Sequence, residues 1–146
     1  MKAVLVTGNP RYINKPIAVN YYKEIVNFLK SNGVDTIIDP GNDYTCPPKA
    51  DFYIGHSRGA SRIRCFERTA QANDFLRFGD IGGYIHPVDE EWQKSNPPSD
   101  KYNPPPDEHF EFYPAQQQAI LSKITEIKSR SGNRQSPING RPLPRG

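Results

Sequence analysis

The chain has 146 residues, enough for one domain with a real core but too few for a second full domain. Apolar residues make up 35%, mean hydropathy is −0.77, and there are 15 prolines and 11 glycines, so long loops surround a modest core. The net charge of +3 sits in residues 129–146, which carry four arginines and no acid and leave 15 basic against 16 acidic residues elsewhere. A nucleic-acid reader usually presents a basic face, so nucleic acid is expected to meet this chain at most weakly, through the tail.

In chain order, "KAVLVTG" is a β-branched apolar run closed by Gly8, Asn9 and Pro10 and reads as a buried first strand. Its six-residue apolar-rich stretch is too short for a signal peptide, and no later run approaches membrane length, so a cytoplasmic protein without membrane contact is expected. Pro16 then opens an amphipathic helix with Ile17, Tyr21, Ile25, Phe28 and Leu29 at helical spacing, stopped by "SNG". "VDTIIDPG" reads as a second strand, and "CPPKADFYIGHS" leads through a proline-marked loop into a third. The order of strand, helix, strand, loop, strand predicts an α/β fold with a small, mostly parallel sheet.

After Ser57, "RGASRIRCFERTAQANDFL" is compatible with a charged helix, and "DIGGYIHPVD" with a fourth strand over Ile81 to Ile85. Residues 93–107, rich in proline, should form a surface loop or lid. Pro114 marks the start of a last helix with Ile120, Leu121, Ile124 and Ile127 on one face. The single domain is expected over 1–128, followed by a flexible basic tail over 129–146. Cys46 and Cys65 lack metal-ligand spacing and are too few for a disulfide framework, so no metal or cofactor is expected.

The chemistry concentrates at "YIGHSRGA". Gly55 and Gly59 flank Ser57 as Gly-x-Ser-x-Gly directly after an apolar strand, the pattern that leaves a serine exposed on a sharp strand-to-helix turn. A serine becomes a nucleophile only when a base removes its proton. His56, inside the turn, should point away from Ser57 if the strand alternates, which favours a packing or hydrogen-bonding role. His86, at a strand end, is a candidate base or substrate contact, and His109 is the third histidine.

These residues resemble the nucleophile elbow of the α/β-hydrolase family, and "KAVLVTGNP" looks like the early family strand whose following loop supplies an oxyanion amide. The resemblance spans residues 2–128 in order of elements and implies a three-layer sandwich reduced in strand number. Carried over by chain order, it implies Ser57 as nucleophile, Asp89 as acid and His109 as base, with the amides of Arg58 and of Asn9 or a neighbour at the oxyanion. Glu90, Asp80 and Asp107 compete with Asp89 as the acid.

The expected activity is that of a small serine hydrolase cleaving an ester, thioester or amide substrate through an acyl-enzyme. A rival of another class is a non-catalytic binding protein whose Gly-rich elbow and Arg58 hold a nucleotide phosphate or a protein partner. A third is a nucleotide-processing enzyme with a flavodoxin-like sheet, for which no phosphate-loop motif is present.

Overall fold

The computed structural model describes residues 1–8, 15–39, 48–61, 74–79, 94, 109–135, 137–139 and 142–144. Strand β1 (Lys2–Val6) is buried at four of its five positions, as a continuous apolar run in a sheet covered on both faces must be. Helix α1 (Pro16–Ser31) starts on Pro16, whose missing N–H costs nothing in a first turn. It ends at Gly33 with φ 78°, where the Gly33 and Val34 amides return to the carbonyls of Lys30 and Leu29.

Strand β2 (Asp35–Asp39) pairs in parallel with β1, and β3 (Phe52–His56) pairs in parallel with the other side of β1. A tight 3₁₀ turn, Ser57–Ser61, follows β3 directly. Strand β4 (Phe75–Phe78) completes an all-parallel sheet in the order β2-β1-β3-β4. The last helix, α2 (Pro114–Gln135), runs past the boundary expected at residue 128, and two three-residue strands, β5 (Pro137–Asn139) and β6 (Pro142–Pro144), pair antiparallel after it.

Two expectations need correction. The strand after the Ser57 turn is Phe75–Phe78, in a stretch read as the end of a helix; Ile81 to Ile85 lie outside the described residues. "FLRF" carries an arginine and is too short to show a period, so its strand state comes from pairing with β3 rather than from its own pattern. Ile17 is 58% exposed, because the buried stripe of α1 runs through Ala18, Tyr21, Tyr22, Ile25 and Leu29.

Helices α1 and α2 pack on one face of the sheet. There Leu5, Ile54 and Phe78 meet Tyr21, Ile25 and Leu29 of α1 and Ile120 and Ile124 of α2 in one apolar core. On the opposite face Val4, Val6 and Tyr53 are also buried. The edge strand β2 is less covered, with Ile38 53% exposed. Among the described residues no helix is long and apolar enough to cross a membrane.

Chain winding reverses between β1 and β3, since β2 lies outward of one and β4 outward of the other. In open parallel sheets such a reversal opens a crevice beyond the carboxyl ends of the two strands, where ligands bind. Gly8 and Ser57 stand at those two ends.

Candidate functional site

Ser57 has φ 58°, and it is the one residue other than glycine with positive φ among those described. A side chain in the left-handed region costs of order 1 kcal/mol and persists only where neighbours over-determine it. Here they do. A Cβ built on Gly55 would stand 2.6 Å from the Gly59 carbonyl oxygen and 2.8 Å from Ala60 Cα, so the turn folds back onto the strand that precedes it. A Cβ on Gly59 would run into the carbonyl oxygens of Val6 and Thr7 at the end of β1. Arg77 of β4 holds the turn from the other side, its Nε donating to the Ala60 carbonyl at 3.2 Å. The two flanking glycines are thus required by backbone crossing, and the crossing puts Ser57, half-buried, at the mouth of the crevice.

His56, the last residue of β3, is fully buried against α1. Its ring lies 4.5 Å from that of Tyr21 and 4.7 Å from that of His109. Nε2 is 2.9 Å from the His109 carbonyl oxygen, and a carbonyl only accepts, so the proton is on Nε2. Nδ1 therefore accepts, from the Tyr22 hydroxyl at 2.9 Å, and the Tyr22 oxygen in turn accepts the Gly8 amide at 3.0 Å. Burial pushes the Tyr22 phenol up to about 12, which keeps it a donor. Both nitrogens of His56 are engaged, so it is not available as a base.

Desolvation, assisted by His109, lowers the His56 pKa to about 3. A histidine held neutral in the native state and near 6.5 when unfolded binds a proton preferentially in the unfolded chain between those values. Stability is therefore full above pH 6.5 and is lost as pH falls toward 3, by up to about 1.4 kcal/mol per pH unit. Urea unfolding at pH 7 and pH 5 should show this loss, and His56→Gln should remove most of the pH dependence while lowering stability at pH 7.

His109 precedes α2 in a turn and packs its ring against His56 and Phe110. Gly79, at φ 59° after β4, makes this possible: a Cβ there would sit 2.9 Å from His109 Cε1 and 3.1 Å from His56 Nε2. Burial lowers the His109 pKa, so the ring is neutral near pH 7. Among the described residues no hydrogen bond joins His109 to Ser57. Asn9, His86 and Asp89 lie outside the described residues, as do the alternative acids Asp80, Glu90 and Asp107 and, apart from Lys94, the proline-rich segment 93–107; Arg58 is placed by its backbone in the 3₁₀ turn.

His109, far along the chain, is therefore brought against His56, the sequence neighbour of Ser57, at the carboxyl end of the sheet. Tyr22 is the participant that sequence reasoning missed. Its one available signal was the adjacent pair Tyr21–Tyr22 on a helix with few other bulky residues near its start. No group of three or more potential metal-binding side chains occurs among the described residues. Comparison with known proteins finds no matching family model, no curated protein and no solved structure of significant similarity.

Proposed function

We propose that the protein is a small serine hydrolase of α/β-hydrolase-like, three-layer design, acting on an ester, thioester or amide through Ser57. The observation that carries this reading is the left-handed backbone of Ser57 at the tip of β3, imposed by two glycines that have no room for a side chain. That conformation is costly, and a serine serving only as a turn residue would be replaced by glycine without loss.

In this reading the Ser57 Oγ attacks the acyl carbonyl while His109 Nε2 or Nδ1 takes its proton. The same imidazolium then protonates the departing alcohol, thiol or amine, leaving an acyl-serine that water hydrolyses by the reverse relay. Asp89 would steady the imidazolium, and the Arg58 and Asn9 amides would meet the oxyanion. The Gly8 amide is already committed to Tyr22, which leaves the next amide, that of Asn9, for this role. His109 must turn from His56 onto Ser57 when substrate binds, since catalytic hydrogen bonds often tighten only in the complex.

Hydrolysis of short p-nitrophenyl esters tests the assignment. Because burial lowers the His109 pKa and the base must be neutral, kcat/KM should fall on an acid limb whose midpoint lies below pH 6.5. His109→Ala should cut turnover by about 1,000-fold or more. An acid limb at or above pH 6.5, or an active His109→Ala, would take the base role from this residue. The rival reading, a phosphate-binding crevice without chemistry, predicts no turnover in the parent and binding of inorganic phosphate that Ser57→Ala weakens.

A further inference from the structure

Two segments at the carboxyl end of the sheet stand about a hundred residues apart in sequence: the end of β1 at Gly8, and the turn at His109–Phe110 that precedes α2. They are joined by an unbroken chain of hydrogen bonds. The Gly8 amide donates to Tyr22, Tyr22 donates to His56 Nδ1, and His56 Nε2 donates to the His109 carbonyl. Each donor and acceptor in the chain has one partner that fits its chemistry, so removing a middle member orphans the groups on either side of it. The apolar walls of Tyr21 and Phe110 exclude water that would otherwise replace a lost bond.

We infer that Tyr22 and His56 are positioning residues that lock the end of β1 at Gly8 to the turn carrying His109, so that the two move as one unit. Neither touches substrate. The lock is a property of the fold, and its effect on catalysis rests on the reading of Ser57 as the nucleophile. It also accounts for a histidine inside the elbow, where a packing role alone would be filled by any apolar side chain. A leucine there would pack but would leave the His109 carbonyl without its donor and the Tyr22 hydroxyl without its acceptor.

Tyr22→Phe is the decisive variant, because it keeps the ring and its packing while deleting the oxygen that both Gly8 and His56 use. Two readouts separate the lock from catalysis. The first is NMR. Amide exchange at Gly8 should speed up by roughly tenfold, as for one lost buried hydrogen bond. The His109 ring should titrate closer to 6.5 than in the parent, because a released turn is better hydrated.

The only other titratable groups among the described residues facing this pair are Tyr21 and Tyr22 from α1, both uncharged throughout the range, so His56 and His109 alone move the titration. If Gly8 exchanges faster while His109 titrates as in the parent, the two segments are independent and the lock is overturned. The second readout is the rate of Ser57 labelling by a fluorophosphonate, expected to fall by roughly tenfold in Tyr22→Phe at full folding. His56→Gln, which can present an N–H toward the His109 carbonyl, should retain more of that rate than His56→Ala; equal rates in all variants would also overturn the lock's catalytic part. A parent that is not labelled at all rejects the hydrolase reading, and the NMR readout still decides the lock.

Discussion

Replacing Gly59 by alanine is expected to lower the free energy of unfolding by about 3 kcal/mol or more, a large share of the roughly 5–15 kcal/mol typical of a domain. The added Cβ meets the carbonyl oxygens of Val6 and Thr7, backbone atoms of the central strand that cannot turn aside as a flexible side chain would. Gly33 supplies the control. It holds φ 78° with nothing within 4 Å of its added Cβ, so Gly33→Ala carries only the left-handed strain of about 1 kcal/mol. Urea denaturation of both variants measures the difference. Equal losses would mean that the turn after β3 does not cross closely over β1, and the geometry placing Ser57 would fall with it.

Ser57→Ala should reduce ester turnover by about 10⁵-fold or more, since in this reading the acyl intermediate forms on the Ser57 hydroxyl. The companion variant Ser57→Gly should abolish activity equally but leave stability unchanged or raise it by up to about 1 kcal/mol, because glycine accepts φ 58° without strain. Gain of stability with loss of function at one position is the signature of strain retained for a task. Thermal unfolding beside an esterase assay reads both effects. A glycine variant that is less stable than the parent would show that the Ser57 side chain contributes structure instead.

Much of this arrangement was legible in the sequence, for reasons that differ by element. β1 and β3 are continuous apolar runs because both faces are buried, and no tertiary knowledge is needed to see them. The elbow was legible because backbone crossing demands glycine, and glycine spacing survives in the sequence as a pattern. β4 was not legible, since three of its four residues are only half-buried and its identity depends on pairing with β3.

The site was readable in its centre and not at its edges. His56 could be assigned to packing and hydrogen bonding from alternation alone, but its partner Tyr22 could not, because the contact depends on how α1 lies across the sheet. His109 was reached through the chain order of a resembling family; the structure puts its ring against His56 rather than on Ser57. The half-exposed edge strand β2 shows the opposite failure, where "TII" suggests burial that its edge position does not provide.

The most direct test of the central claim is labelling of the folded protein with a fluorophosphonate, followed by peptide mass mapping, in the parent and in Ser57→Ala. The account predicts one adduct, on the peptide containing Ser57, absent from Ser57→Ala and slowed in His109→Ala. A folded parent that takes up no label, or carries it on another serine, would contradict the account and make the strained turn a structural feature of a binding protein.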